Sequence, residues 1–411
     1  MIRLSNQLIV ATCALGLLLN CQSVSEPYVL MVSFDGFRYD YISRVNTPNF
    51  DHIVEHGASA DGLIPCFPSK TFPNHYSLVT GMYPGNHGLV DNSFYHKQRR
   101  EHYKMKDPTK VRDQAFYGGT PLWQLVQQNG MKSASYYWVG SEAPIQGSYP
   151  DYYTMYNHNT PNEDRIDQVF EWFELPEEDR PKLVNLYFAL VDDAGHDFGP
   201  EASEVNQATV EADRLIGLIL DKIKSSQLDI NLVVVSDHGM ARVQDVAKNY
   251  FYLSDISGLN RFNVVNSSTM AHVYTSTKHE TDSLFNTLDR LDLSGCTIVK
   301  KSESPKEWHY RDAVQAGDIL ILMDEGRMMK EKRTGNESYS TRSLGTHGYD
   351  PASSRDMMGV FYAYGPQIKS AKRLSAFENI HVYPFVCQLL GIRAPEEIDG
   401  DPAVLQDLQK N

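Results

Sequence analysis

Three aspartates stand beyond the ends of apolar runs. Asp35 follows Val29-Leu30-Met31-Val32, Asp192 follows the run from Leu183 to Leu190, and Asp237 follows Leu232-Val233-Val234-Val235. Two of them carry histidine in ligand spacing, as Asp192-x3-His196 and Asp237-His238. Carboxylate oxygens and imidazole nitrogens are donors for a divalent metal. Either pair alone also occurs in solvated loops or as a buried Asp–His hydrogen bond. Taken together after strands, with His347 in Gly345-Thr346-His347-Gly348 and the hydroxyl of Thr71, the set is large enough for two ions about 4 Å apart. Such a pair divides the work of phosphoryl transfer: one ion activates the attacking oxygen and the other takes charge on the leaving oxygen.

Threonine is a poor nucleophile at neutral pH until a metal binds its oxygen. Thr71 lies in Cys66-Phe67-Pro68-Ser69-Lys70-Thr71-Phe72-Pro73-Asn74-His75, a polar turn with Pro73 near the start of a helix expected to run to about Thr80. A helix N-terminus offers free N–H groups and a positive dipole end, both suited to a phosphate. In isolation a Thr-x-Pro is more often only a helix cap. The ligand set around it turns the balance toward chemistry.

These residues need elements to hold them. Strand-like Tyr28 to Phe34, a helix over Pro121 to Asn129 ended by Gly130, and a strand over Ser133 to Trp138 begin an alternation that predicts an α/β fold. Its central sheet is mostly parallel and flanked by helices. Sheets of this kind bind ligands beyond the carboxyl ends of their strands, where the three aspartates fall. Ser203 to Lys224 carries Val205, Val210, Leu215, Ile216, Ile219, Leu220 and Ile223 at helical spacing, with Lys222 and Lys224 at its end. Between about 241 and 345 short β-like runs (263–265, 271–274, 318–323) and an amphipathic stretch from Asp282 to Leu291 predict a small inserted α+β subdomain. Its tail, Glu325 to Ser343, reads as a surface loop, after which Gly359 to Tyr364 and a helix-like Phe377 to Leu390 return to the main fold. The expected organisation is a leader over 1–25, a catalytic domain over 26–400 and a tail over 401–411.

With 411 residues, 41% hydrophobic and 22% charged, the chain has the make-up of a soluble globular protein. A formal net charge of -14 argues against binding long nucleic acid, which rests on Lys and Arg neutralising phosphates. Met1-Ile2-Arg3 and the apolar stretch from Leu8 to Leu19 have the order of a secretory signal peptide, and fall short of the roughly 18 residues that span a bilayer. The protein is therefore expected to be exported, periplasmic or extracellular. Leu18-Leu19-Asn20-Cys21 also resembles a bacterial lipobox, which would anchor the chain to a membrane by a lipid on Cys21, although Asn20 stands where a small residue is usual. Plain cleavage is the favoured reading. Cys66, Cys296 and Cys387 remain in the mature chain, enough for one disulfide and one free thiol.

The motifs Lys70-Thr71-Phe72-Pro73-Asn74-His75-Tyr76, Thr80-Gly81-Met82-Tyr83-Pro84, Asn86-His87-Gly88-Leu89-Val90-Asp91-Asn92, Ser236-Asp237-His238-Gly239-Met240 and Phe377-Glu378-Asn379-Ile380 resemble, in order, those of the nucleotide pyrophosphatase/phosphodiesterase family of the alkaline phosphatase superfamily. The resemblance covers roughly Tyr28 to Gly391. It implies two zinc ions, the first held by Asp192, His196 and His347, the second by Asp35, Asp237, His238 and the nucleophile Thr71. It further implies that Asn92 and the Thr71 amide bind a non-bridging phosphate oxygen, and that Thr71 attacks phosphorus in line to form an intermediate that is then hydrolysed. Phe72, Tyr156 and Tyr187 match positions that line a nucleoside pocket, with Trp138 and Glu142 on its border. The implied substrate is a small nucleotide-type diester or pyrophosphate, cleaved to a nucleoside 5'-monophosphate. The chain departs from the family at Leu190-Val191-Asp192, where Glu-Pro-Asp is common.

Other readings use the same residues. Cys66-Phe67-Pro68-Ser69-Lys70 superficially resembles the sulfatase motif, but Lys70 replaces its arginine and the histidine-rich set does not suit one oxygen-bound calcium. A phosphomonoesterase needs extra cations facing the phosphate, and Tyr137 to Glu142 supplies none. Lipid or choline-type diesters remain the alternative substrates, because pocket shape decides among them.

Overall fold

A computed structural model describes residues 27–243, 249–291, 293–333 and 344–410. The leader, Cys21 and most of the charged tail before His347 lie outside the described residues. In chain order the elements that matter are β1 (Tyr28–Phe34), β2 (Ala58–Ala60), α1 (Thr71–Thr80), β3 (Ser133–Tyr136), β4 (Tyr152–Thr154), β5 (Leu183–Phe188), α2 (Leu190–Phe198), α3 (Ser203–Ser226) and β6 (Ile230–Val235). There follow β7 (Ala241–Val243), β8 (Asn263–Asn266), β9 (Met270–Tyr274), α4 (Lys278–Asp289), β10 (Cys296–Lys300), β11 (Ile319–Met323), β12 (Leu344–Thr346), β13 (Phe361–Tyr364) and β14 (Lys372–Leu374).

The main sheet has eight strands in the order β14-β2-β13-β6-β1-β5-β3-β4. Only β13 runs against the others, pairing antiparallel with both β6 and β2. At the centre Val32 lies level with Leu186 on β5 and Val234 on β6, so these three strands end side by side. Alternate residues feed two cores. Val29, Met31, Leu183, Val233 and Val235 face one, while Leu30, Val32, Val184, Leu186, Leu232 and Val234 face the other. A sheet covered on both faces explains why its strands read as unbroken apolar runs.

The α3 helix presents Val205, Leu215, Ile216, Ile219 and Ile223 to that second core. Val210 does not join them and is 47% exposed. Five residues beyond Val205, it lies about 140° round the helix at 100° per residue, off the buried stripe.

Several boundaries differ from the sequence reading. The strand expected to run to Leu190 stops at Phe188. Leu190 and Val191 open α2, which has Asp192 and Asp193 in its first turn, His196 in its last and Gly199 beyond. This order matches the helix dipole and a C-terminal stop. Helix α4 begins at Lys278, four residues before the apolar spacing suggested, because the Thr277 hydroxyl accepts the Glu280 N–H as an N-cap. It packs on the antiparallel sheet β8-β9-β11-β10. Part of the expected tail loop is strand, since Met328–Lys330 pairs in parallel with Tyr250–Tyr252. The stretch from Phe377 to Leu390 is helical only from Val382 to Leu389, after a short strand and a 3-10 turn. Cys66, Cys296 and Cys387 are free thiols.

Candidate active site

The level ends of β1, β5 and β6 set Asp35 and Asp237 at one edge of the sheet. The Asp35 N–H bonds to the Phe188 carbonyl. Gly36 turns the chain away at φ +66, and an added Cβ there would sit 2.7 Å from Asp192 Oδ1. Only glycine therefore lets β1 pass this close to α2. On α2, the four-residue spacing stacks Asp192 and His196 on one face, with His196 Nε2 3.4 Å from Asp192 Oδ2. His347 follows β12, which pairs with β7 directly after the Asp237-His238 turn.

The donors fall into two groups, Asp192 with His196 and His347, and Asp35 with Asp237 and His238. Within each group one ligand atom per residue lies within 4.8 Å of the others. The rings of His238 and His347 stack at 3.6 Å, so the two groups share a wall.

Each histidine is oriented through its Nδ1, which donates to a backbone carbonyl: Gly345 for His196, Ser69 for His347 and Gly239 for His238. That fixes the tautomer and leaves Nε2 as a lone-pair donor pointing inward, the arrangement in which imidazole binds a metal. On the acidic side Asp35 Oδ1, Asp192 Oδ1 and Asp237 Oδ2 are buried with no hydrogen bond. Unpaired buried carboxylate oxygens facing bare imidazole nitrogens are costly unless a cation joins them. The charges show the same strain. Burial, with Asp237 and Asp192 nearby, pushes the Asp35 carboxyl well above its usual range. Burial opposes ionisation of Asp237 as well, yet His238 and His75 hold that carboxyl well below it. Burial and His238 drive His347 far below an ordinary imidazole. These residues fit two divalent ions.

Thr71 is the first residue of α1, and its Oγ1 lies 3.2 Å from His238 Nε2, beside the second group. Asn92 Oδ1 accepts the Phe72 N–H at 2.9 Å. That bond engages the Asn92 oxygen and leaves its NH2 for another partner, and among the described residues no acceptor is found for the Thr71 N–H at the helix start. A helix start with an amide side chain beside it is a setting suited to an anion.

Beside it opens a cleft of about 480 Å³, lined by Asp35, Thr71, Asp192 and by Phe72, Trp138, Glu142, Tyr156 and Tyr187. Tyr187 does more than offer a ring: its hydroxyl donates to Asp35 Oδ2 at 2.6 Å. The Trp138 indole N–H is tied to the His75 carbonyl, and Glu142 Oε1 accepts the Tyr156 N–H at 2.7 Å.

Three features escape sequence reasoning. His75 Nδ1 lies 3.3 Å from Asp237 Oδ2 and 3.0 Å from the Thr71 carbonyl, so it braces both from behind. Its place one helical turn after Thr71 was the available signal. Lys106 and Arg112 line the cleft, so cations do reach it, from a segment remote from Tyr137 to Glu142. Arg112 is paired with Glu142 at 3.0 Å. Lys70 turns inward and is buried, its ammonium donating to the carbonyls of Ser267 and His347.

A family model described as type I phosphodiesterase / nucleotide pyrophosphatase matches residues 29–350. The chain is 32% identical to a venom phosphodiesterase of Macrovipera lebetinus, over 97% of this chain and 47% of that protein. It is 33% identical to ectonucleotide pyrophosphatase/phosphodiesterase family member 1 of Mus musculus, over 94% of this chain and 43% of that protein. The chain thus spans about half the length of the curated relatives it matches. Murine ectonucleotide pyrophosphatase/phosphodiesterase 5 superposes with a TM-score of 0.86 at 30% identity, over 93% of this chain and 100% of that one. An inactive threonine-to-alanine variant of the same murine protein, solved in complex with AMP, gives 0.85 over 94% and 100%. With the family model covering most of its length and its fold shared with these solved relatives, the chain belongs to the type I phosphodiesterase/nucleotide pyrophosphatase family.

Proposed function

We propose that this protein is an exported, two-zinc nucleotide phosphodiesterase that cleaves nucleotide-type diester or pyrophosphate bonds through a covalent intermediate on Thr71, releasing a nucleoside 5'-monophosphate. The observation that carries the reading is Thr71 at a helix N-terminus, its Oγ1 beside His238 Nε2 and the next residue's N–H, that of Phe72, bonded to Asn92. Mixed imidazole and carboxylate donors suit zinc better than calcium or magnesium. Asp192, His196 and His347 would hold one ion, and Asp35, Asp237, His238 and Thr71 the other. When bound, the ions lower the pKa of a coordinated hydroxyl and offset charge on the leaving oxygen.

The residues of the chain do the rest. The Thr71 N–H and Asn92 amide hold a non-bridging oxygen and turn phosphorus toward Thr71 Oγ1. As the Thr71 Oγ1–phosphorus bond forms, the bond to the leaving oxygen breaks, and the proton given up by Thr71 passes through solvent to balance the charge of the departing alcohol or phosphate. Water then attacks the same phosphorus, the Thr71 Oγ1–phosphorus bond breaks, and a proton from that water restores the threonine hydroxyl as the nucleoside monophosphate leaves. Phe72, Tyr156 and Tyr187 provide flat walls for a base, and the relative solved with AMP supports a nucleoside in this cleft. Of the two cations that line the cleft, Lys106 and Arg112, the second is paired with Glu142, which weakens its pull on a doubly charged monoester. Export, to periplasm or extracellular space and with or without a lipid on Cys21, rests on the leader sequence.

The test compares rates on a nitrophenyl ester of a nucleotide, a choline phosphodiester and a phosphomonoester, with zinc measured in the same preparation. The nucleotide diester should be fastest at two zinc ions per chain. A preference for the monoester or the choline ester would overturn the substrate assignment.

A further inference from the structure

The tip of the β8–β9 hairpin, Ser267 to Thr269, reaches from the smaller sheet into the back of the site. There the Ser267 hydroxyl donates to Asp91 Oδ1, the Ser267 carbonyl accepts from Lys70 Nζ, and the Thr269 hydroxyl donates to the His347 carbonyl at 3.0 Å. Asp91 is fully buried, and so is His272 on β9, whose Nε2 lies 3.1 Å from Asp91 Oδ2. The Gly317 N–H donates to His272 Nδ1, so the proton of a neutral ring is on Nε2 and points at the carboxylate. The second use of Asp91 is local: its Oδ1 accepts the N–H of Asn92 at 2.6 Å. The Asn92 carbonyl is held in turn by the Met105 N–H.

We infer that Asp91, clamped by His272 and Ser267 of the smaller sheet, is a positioning residue that fixes Asn92 in the orientation needed to bind the phosphate oxygen. The inference rests on the phosphate role proposed for Asn92. A buried carboxylate holding one backbone N–H needs further donors to be stable, and both come from across the fold. Asn92 has its side chain set at Oδ1 by Phe72 and its main chain set by Asp91 and Met105, so little freedom is left to its amide donors. The smaller sheet thereby contributes to the reaction without touching substrate. Its contact with the His347 carbonyl is separate and acts on the metal ligand's backbone.

The test is a double-mutant cycle on the nitrophenyl ester of a nucleotide, using His272→Leu, Ser267→Ala and Asn92→Ala singly and in pairs, with zinc content and melting temperature measured for each. His272→Leu should lower kcat/KM about ten- to a hundredfold with zinc content unchanged, as removal of an orienting partner does. His272→Gln, which can still donate to Asp91, should recover most of that loss. In the Asn92→Ala background His272→Leu should cost less than about twofold, because the residue it orients is gone. Ser267→Ala should give a smaller loss with the same non-additivity, and it carries the test if His272→Leu does not fold. Equal losses with and without Asn92, or a lowered melting temperature with full activity, would overturn the positioning role. If Asn92→Ala itself leaves kcat/KM unchanged, the phosphate cradle of the proposed function fails, and this inference with it.

Discussion

Replacing Tyr187 with phenylalanine separates two roles that meet in one side chain. The ring lines the cleft and would stack on a base, while the hydroxyl donates to Asp35 Oδ2 at 2.6 Å. Tyr187→Phe keeps the ring and removes only the donor. Asp35 is 1% exposed, so no water replaces the lost bond, and its Oδ1 already lacks a hydrogen bond. An unsatisfied buried acceptor costs about 1–3 kcal/mol. At about 1.4 kcal/mol per decade this corresponds to roughly five- to a hundredfold. The cost falls on the group formed by Asp35, Asp237 and His238, so it should appear as weaker metal binding there and a lower kcat. KM for a nucleotide ester should change little, because the stacking surface is intact. Zinc competition against a chelator, alongside steady-state kinetics at saturating zinc, separates the two effects. A several-fold rise in KM with metal affinity and kcat untouched would refute the reasoning, since it would mean that the hydroxyl serves the substrate and not Asp35.

Gly36→Ala should damage the site from the opposite side. Its Cβ would meet Asp192 Oδ1 at 2.7 Å at a left-handed φ that costs a non-glycine residue about 1–2 kcal/mol, so both zinc content and activity should fall; normal values in a folded variant would contradict the close approach. His87 supplies a pH test away from the candidate metal ligands. Burial lowers its pKa to about 3, and its Nδ1 accepts the Leu89 N–H, which protonation would prevent. The unfolded chain then binds the proton near pH 6.5 and the folded one only near 3, so stability present above pH 6.5 should be lost as pH falls, by up to about 1.4 kcal/mol per unit. Urea unfolding at stepped pH should show that slope reduced in His87→Gln, and an identical slope in the variant would count against it.

Much of the placement of the candidate site is legible because sheet physics writes it plainly. Strands buried on both faces give unbroken apolar runs, and the polar residue that ends each run falls at the sheet edge, as Asp35 and Asp237 do. Asp192 was found for an incomplete reason. Leu190 and Val191 extend the apolar run of β5, while the signals of a new helix, acidic Asp192 and Asp193, then His196 and Gly199, were outweighed by hydrophobicity. The Thr277-x-x-Glu280 start of α4 is hidden in the same way, because the capping signal lies ahead of the first apolar residues of the helix. The contributions of His75, Arg112 and the Ser267 hairpin depend on contacts between segments far apart in the chain. No local pattern encodes those.

In the proposed mechanism Thr71 is the group that attacks phosphorus beside two bound metals. Thr71→Ala measured for turnover of a nucleotide nitrophenyl ester and for zinc per chain, in one preparation, tests it directly. Turnover should fall to background while zinc stays near two per chain, because Asp35, Asp237 and His238 still hold the neighbouring ion. Turnover close to that of the unaltered protein, with zinc in place, would contradict it.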